Sequence, residues 1–107
     1  YQTTLTGTGN QSNVAYKYSL EQNYPNPFNP RTIINYQLPT NNFVRIVVYD
    51  INGREMKTLF SGMKAPGSYS VDFDGSSLSS GIYFFTLTAV GEDGSQFSSS
   101  KKMTLLK

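Results

Sequence analysis

The stretch NYPNPFNP, residues 23–30, is followed after Arg31 by TIINYQLP, residues 32–39. The first segment holds three prolines, which fix their own φ angle and have no N–H group to donate. Tyr24, Asn26 and Asn29 each precede a proline and are therefore restricted to extended or turn conformations. Such a run cannot be a central strand, because the missing donors would interrupt the hydrogen-bond ladder. We expect a stiff connector that sets the direction in which the next strand enters its sheet.

Alternating apolar residues and turn signals divide most of the chain into short strands. Turn residues recur roughly every 8–12 positions, a spacing typical of a β-sandwich. The strongest segment, Phe43–Tyr49, is largely β-branched or aromatic, as a buried pleated surface prefers. The sequence therefore predicts an all-β, Ig-like antiparallel β-sandwich of about seven strands. The strands are predicted at residues 16–20, 32–38, 43–49, 54–60, 68–74, 81–90 and 96–107.

The same alternation predicts which side chains point into the core, and it leaves one segment ambiguous. Residues 54–60 could instead form a short helix, since Met56, Leu59 and Phe60 also fit helical spacing. The Asn52-Gly53 pair before them favours a hairpin and hence a strand. The side chains predicted to point inward are Ile34, Tyr36, Leu38, Val44, Ile46, Val48, Tyr69, Val71 and Phe73.

Composition argues against several classes of function. The 107 residues include no cysteine and no histidine, which removes disulfides, thiolate ligands and the usual general base near neutral pH. The net charge of +2 is too small to indicate a nucleic-acid partner. No apolar run approaches the roughly 20 residues of a membrane span. We expect a non-enzymatic domain without a metal or other cofactor, and any Sec signal is expected upstream.

Two carboxylates and a basic terminus are the remaining polar candidates. Asp72 and Asp74 share a strand face, where polar side chains usually contact water, and no loop has calcium-ligand spacing. Lys101, Lys102 and Lys107 are expected either to protect an edge strand or to form a recognition surface. The aromatic side chains are expected in the core rather than on a sugar-binding platform, because most occupy inward positions.

The first 17 residues have a different composition from the rest. Thr, Gly, Ser, Asn and Gln dominate residues 1–17, which is typical of a flexible linker. We interpret them as a tether to an upstream cargo domain and residues 18–107 as the functional domain.

The proline run and a series of later motifs resemble the type A C-terminal sorting domain of the type IX secretion system, in the Por secretion system family. The motifs keep their order from about residue 18 to Lys107, and Phe73 stands where relatives often carry tryptophan. The matching segments are YPNPFNP at 24–30, VYD at 48–50, GREM at 53–56, PGSY at 66–69, SGIYF at 80–84 and KKM at 101–103.

This resemblance implies an export address used by Bacteroidota-like bacteria. The cargo is expected to cross the inner membrane by a Sec signal, fold in the periplasm and pass the outer-membrane translocon to the cell surface or the medium. A surface sortase is expected to cut in or before residues 1–17 and either join the cargo to anionic lipopolysaccharide or release it. The residues expected to face this machinery are Gly81, Lys101, Lys102, Met103, Leu105 and Lys107. The proline-run motif, which could serve the fold alone, comprises Pro25, Asn26, Pro27, Phe28, Asn29 and Pro30.

Two other functions stay open on the sequence. The domain could be an accessory module that holds a secreted enzyme on a polysaccharide. It could also be an Ig-like spacer or assembly domain, because the resemblance extends to the Ig-like domain of flagellar hook-capping proteins. A sorting signal is expected to end its gene, whereas a spacer is expected inside it.

Overall fold

Two antiparallel sheets make up the computed structural model, which describes residues 16–107. All regular structure in this part of the chain is β, and the prediction of an Ig-like sandwich of seven strands is confirmed. Residues 1–15, which hold most of the predicted linker, lie outside the described residues. The strands are β1 (Ser19–Leu20), β2 (Arg31–Leu38), β3 (Asn42–Tyr49), β4 (Glu55–Lys64), β5 (Gly67–Asp74), β6 (Gly81–Gly91) and β7 (Gln96–Leu105).

The strands divide unequally between the two sheets. One sheet has the order β1-β2-β5, and the other has the order β4-β3-β6-β7. On one flank, β1 and β7 lie together, where the rings of Tyr18 and Phe97 stack with centroids 5.1 Å apart. On the other flank, the Lys64 ammonium lies 4.7 Å from the ring centroid of Tyr69 and connects the sheets by a cation–π contact.

The core is built from the inward faces of both sheets. As predicted, the side chains of Ile34, Tyr36 and Leu38 from β2 and those of Val44, Ile46 and Val48 from β3 are buried. Burial raises the pKa of the Tyr36 hydroxyl, and the neighbouring Tyr69 raises it further, so Tyr36 remains neutral in the core. Among the other predicted inward residues, Phe73 is fully buried, while Tyr69 and Val71 pack against the core from half-buried positions.

Strand β4 departs most from the prediction. It runs from Glu55 to Lys64, four residues beyond the predicted end, because its pairing with β3 extends to Asn42. The register with β3 shifts twice, so that Met56 and Leu59 are extra residues with no partner on β3. Each β-bulge interrupts the alternation of side chains, which explains why this segment also fitted helical spacing.

Other strand bounds differ from the prediction by one to three residues. The first strand is only Ser19–Leu20, and the last ends at Leu105 rather than at Lys107. Leu106 instead donates its N–H to the carbonyl of Phe28, so the chain end pairs with the proline run. Strand β2 begins at Arg31 rather than Thr32.

We expect Phe28→Ala to lower the free energy of unfolding by about 3–5 kcal/mol, because it would leave a cavity between the sheets. Phe28 is 2% exposed and packs edge-to-face on Phe73 with ring centroids 5.9 Å apart. Tyr24→Ala is the matched control in the same run, since Tyr24 is 78% exposed. Urea unfolding followed by far-UV circular dichroism measures both variants. Equal losses for the two would contradict the placement of Phe28 in the core.

Candidate functional site

One end of the sandwich brings the proline run and the chain terminus together. We define the C-terminal end face as residues 23–30, 75–81 and 104–107. It contains the whole predicted proline-run motif and three of the predicted recognition residues, Gly81, Leu105 and Lys107. The other three, Lys101, Lys102 and Met103, precede it on β7.

The proline run transfers the chain from one sheet to the other. Tyr24 exchanges two backbone hydrogen bonds of 2.9 Å with Ile33 of β2. Four residues later, the Phe28 N–H donates to the Thr104 carbonyl and the Phe28 carbonyl accepts from Leu106, both at 3.0 Å. The run is therefore the connector that the sequence predicts, and its added role is to attach β7 to the rest of the fold.

Asparagine side chains hold this crossing in place. The buried Asn23 amide donates to the Thr32 hydroxyl at 3.0 Å and to the Pro25 carbonyl at 3.1 Å. The Thr32 hydroxyl also donates to the Pro25 carbonyl, at 2.8 Å. The side-chain oxygen Oδ1 of Asn26 accepts a hydrogen bond from the Thr104 N–H at 3.0 Å. Because prolines have no N–H to donate, the Asn23 and Thr32 side chains supply donors for the Pro25 carbonyl, while the Asn26 side chain supplies an acceptor for β7.

Sequence reasoning did not single out Asn23 and Thr32 as a pair. The local sequence indicated only a turn, because asparagine near proline is typical of turns. Their contact spans nine positions of sequence, and it exists only because the run folds back along β2.

The turn after β5 closes tightly over the proline run. The Gly75 N–H donates to the Pro30 carbonyl at 2.8 Å. A Cβ at Gly75 would lie 3.2 Å from Cδ2 of Leu105 and 3.3 Å from Cε2 of Phe28. A side chain here would require Leu105 and Phe28 to shift by a few tenths of an ångström, because β5, β7 and the run meet at this point.

The structure divides the predicted recognition residues into two groups. Met103 and Leu105 have no exposed surface and belong to the core. Lys102 and Lys107 are exposed, while Lys101 and Gly81 are half-buried. In the folded domain, a partner could therefore contact the lysines and Gly81, whereas Met103 and Leu105 stabilise the strand that carries them.

Within residues 16–107, the lysines near the C-terminus form no ion pair. The ion pairs within residues 16–107 join Arg31 to Asp74, Arg45 to Glu55 and Arg54 to Asp50, and none involves Lys101, Lys102 or Lys107. Lys107 does donate its ammonium to the Ser76 carbonyl at 2.6 Å and its N–H to the Ser80 hydroxyl at 2.9 Å. Lys102 and Lys101 thus present positive charge without a carboxylate partner in the described part of the chain.

The turn carboxylates have a structural role. The Ser76 hydroxyl and N–H donate to the Asp74 carboxylate and lower its pKa, with a smaller effect of Arg31. Hydrogen bonds from the Ser95 hydroxyl and N–H likewise lower the pKa of Asp93. The backbone N–H of Arg54 is the main cause of the lowered pKa of Asp50. Asp72 is exposed beside Asp74, and no group of three or more potential metal ligands occurs among the described residues.

A shallow cavity of about 310 Å³ lies beside the proline run, lined by Pro25, Arg31, Thr32, Ile33 and Asp72. It opens on the outer face of the three-stranded sheet, where Arg31, Ile33 and Asp72 are exposed. Within residues 16–107, no helix is long and apolar enough to cross a membrane.

We expect the free energy of unfolding to decrease as the pH falls below 3.8, the ordinary pKa of these carboxyls. A carboxyl whose pKa is lowered by folding stabilises the native state above its unfolded pKa, and this contribution is lost as the pH falls through the folded pKa. Asp74→Asn should therefore reduce the acid dependence, measured by urea unfolding between about pH 5 and pH 2. The control is Asp72→Asn. A wild-type acid dependence in Asp74→Asn would contradict this assignment.

We expect Asn23→Ala to lower the free energy of unfolding by about 1–3 kcal/mol, because it leaves buried polar groups without their partner. Asn29→Ala is the matched control, since Asn29 is exposed in the same run. Thermal and urea unfolding measure both changes. The role of Asn23 would be refuted by a loss no larger than that of the control.

The comparisons with known proteins agree with this fold. The crystal structure of CopC from Methylosinus trichosporium OB3b superimposes with a TM-score of 0.53 at 15% identity, covering 83% of this chain and 93% of that one. The PmoD soluble domain from Methylocystis sp. ATCC 49242 (Rockwell) gives a TM-score of 0.51 at 17% identity, covering 85% and 90%. At such identities, the likeness concerns the fold alone. No curated protein matches the chain.

The sequence itself matches a known family over most of its length. That family is described as "Secretion system C-terminal sorting domain", and the match covers residues 22–103. The matched region starts just before the proline run and ends at Met103 of β7, one residue before Thr104, with which the run pairs. The chain therefore belongs to the family of type IX secretion system C-terminal sorting domains that its sequence resembles.

Proposed function

We propose that this domain is the export address of a cargo protein attached ahead of it, which it directs across the outer membrane through the type IX translocon. The observation that carries the proposal is the family match over residues 22–103. A sorting domain of this family implies a cargo chain handled by the type IX system and export to the cell surface or the extracellular space. We propose that the domain is non-catalytic and binds no cofactor.

The finer steps of the proposal rest on the resemblance. The cargo crosses the periplasm, and the translocon then engages the sorting domain. A surface sortase cuts in or before residues 1–17 and either joins the cargo to anionic lipopolysaccharide or releases it. Bacteroidota-like bacteria are the hosts in which this pathway is expected.

The arrangement of β7 supports recognition of the folded domain by the secretion machinery, rather than recognition of an unfolded tail. Alternation along the strand places Met103 and Leu105 in the core and leaves Lys102 on the outer face of the sheet, opposite Phe84. The strand end is further attached through Phe28. The positive side chains are therefore presented at defined positions, which is the condition for selective recognition by charge.

The structure gives less support to a glycan-binding module. Five of its aromatic side chains are buried between the sheets, namely Phe28, Tyr36, Phe73, Tyr83 and Phe85. Tyr24 and Phe43 are the large aromatic residues that are well exposed within residues 16–107, and they lie on opposite sheets, so they do not form a continuous platform.

Deletion of residues 101–107 is a poor test of recognition, because it also removes Met103 and Leu105 from the core. Losing two fully buried side chains costs about 4–10 kcal/mol, which is comparable with the whole stability of a small domain. A loss of export after this deletion would report unfolding as well as recognition.

Charge reversal of the terminal lysines separates these effects. We expect the combined change Lys101→Glu, Lys102→Glu and Lys107→Glu to lower export of a fluorescent reporter fused ahead of residues 1–107, with a Sec signal, in a type IX-competent host. The reason is the lost attraction to an acidic partner. Reporter fluorescence in the medium and on the cell surface is the measurement.

The control for this experiment is the pair Lys17→Glu and Lys57→Glu, which reverses exposed charges elsewhere on the domain. Thermal unfolding of each purified chain confirms that the fold is retained. Export of the triple variant at the wild-type level would reject the lysines as the address. A wild-type fusion that stays in the cells would reject the proposed function itself.

A further inference from the structure

Strand β7 is an edge strand whose outer side is covered over only part of its length. Its inner side pairs with β6 without a register shift, from Gly81 opposite Leu105 to Val90 opposite Gln96. On the outer side, the proline run occupies Thr104 and Leu106. The Gln22 amide adds one hydrogen bond of 2.7 Å to the Lys102 carbonyl.

The remaining outer edge has backbone groups that no group within residues 16–107 contacts by a backbone hydrogen bond. Thr104 and Lys102 turn their backbone groups outward, and the continuous register means that every second residue before them does the same. Ser100, Ser98 and Gln96 therefore direct their N–H and C=O groups away from β6. No backbone group in residues 16–107 pairs with them, and all three residues are exposed.

From Gln96 to Ser100 this edge lacks the usual protection against strand addition, and its lysines, Lys101 and Lys102, lie at one end of it. The opposite edge of the same sheet, β4, is bent by two bulges, a common way of blocking edge-to-edge pairing. Strand β7 has no bulge and no proline between Gln96 and Leu105. Its side chains at 98, 99 and 100 are all serine, so they are too small to obstruct an approaching backbone.

The side chains around the edge indicate the chemistry of the partner. Lys101 and Lys102 have no carboxylate partner among the described residues, and β6 beside them carries no charged residue. At the other end of the open edge, a cavity of about 330 Å³ is lined by Thr88, Ala89, Val90, Gln96, Phe97 and Ser98. The partner strand that fits this edge has an acidic side chain near Lys102 and an apolar side chain over the cavity.

We propose that the open edge of β7, residues 96–102, accepts an extended acidic segment of the type IX machinery as an additional strand of the four-stranded sheet. Backbone hydrogen bonds to Gln96, Ser98 and Ser100 provide affinity, while the lysines and the cavity provide selectivity. This inference rests on the proposed function and names the site through which it operates. The site lies mostly before residues 101–107, because the proline run already occupies much of the edge there.

Proline substitutions test the edge without disturbing the β6–β7 ladder. Ser100→Pro and Ser98→Pro each remove an outward N–H that β6 does not use, and proline is tolerated at such edge positions. In the fusion of residues 1–107 to a fluorescent reporter with a Sec signal, we expect the exported fraction to fall about tenfold, the effect of losing one or two hydrogen bonds. Ser100→Ala and Ser98→Ala keep the N–H and should export normally.

The matched control lies on an open edge of the other sheet. Gly75 donates its N–H to Pro30, and the unbroken β2–β5 register then directs the N–H of Ser68 outward from β5. Ser68→Pro should therefore leave export unchanged. Thermal unfolding of every variant accompanies the export assay, and a proline variant that no longer folds is replaced by Lys102→Glu, which changes an exposed side chain and is expected to reduce export.

The outcomes separate this inference from the proposed function. If the wild-type fusion is not exported, the proposed function fails. If it is exported and folded Ser100→Pro or Ser98→Pro variants match it, the strand-addition site is wrong while the sorting role stands. If both prolines unfold the domain, normal export of Lys102→Glu overturns the inference. Sedimentation of the purified chain as a dimer that Ser100→Pro dissociates would assign the edge to a second copy and also overturn it.

Discussion

The fold depends on the pairing of the proline run with the last strand. Phe28 donates to and accepts from the backbone on either side of Leu105, and its ring fills the space between the two sheets against Phe73. A two-layer sandwich has no covalent connection between its layers except where the chain crosses. Here the crossing segment is stiffened by prolines, and the buried Asn23 amide supplies hydrogen bonds that the prolines cannot. This end of the domain is therefore specified by backbone pairing, packing and side-chain hydrogen bonds at the same time.

In that arrangement the last strand has two different faces, one packed in the core and one exposed. Met103 and Leu105 anchor the strand in the core, whereas Lys102 remains on the outside with its charge uncompensated by any described carboxylate. The period of two along a strand makes this separation unavoidable. A sorting domain that is read through its final strand can thus keep that strand folded and still display charge from it.

The two edges of the four-stranded sheet are treated differently. Strand β4 carries two bulges and Lys64, whose ammonium lies over the rings of Phe60 and Tyr69. Strand β7 is regular, and the proline run covers only its end. Open regular edges favour association with a partner. Strand β5 of the other sheet is also a regular edge, but it carries Asp72 and Asp74 in place of lysines. The difference between the edges is the physical basis for locating the proposed interaction on β7.

The fold class, most strand positions and the inward residues of β2 and β3 could be predicted from the sequence, because alternation and turn chemistry are local properties of the chain. The family could also be predicted from it, through motifs that keep their order. The three-dimensional packing was needed to show that β4 is bulged, that Asn23 pairs with Thr32, and that Met103 and Leu105 are buried in the core. The open edge at 96–102 was likewise hidden, since which backbone groups remain unpaired depends on how distant segments meet. Local patterns specify which face of a strand is apolar, but they cannot specify which neighbour covers it.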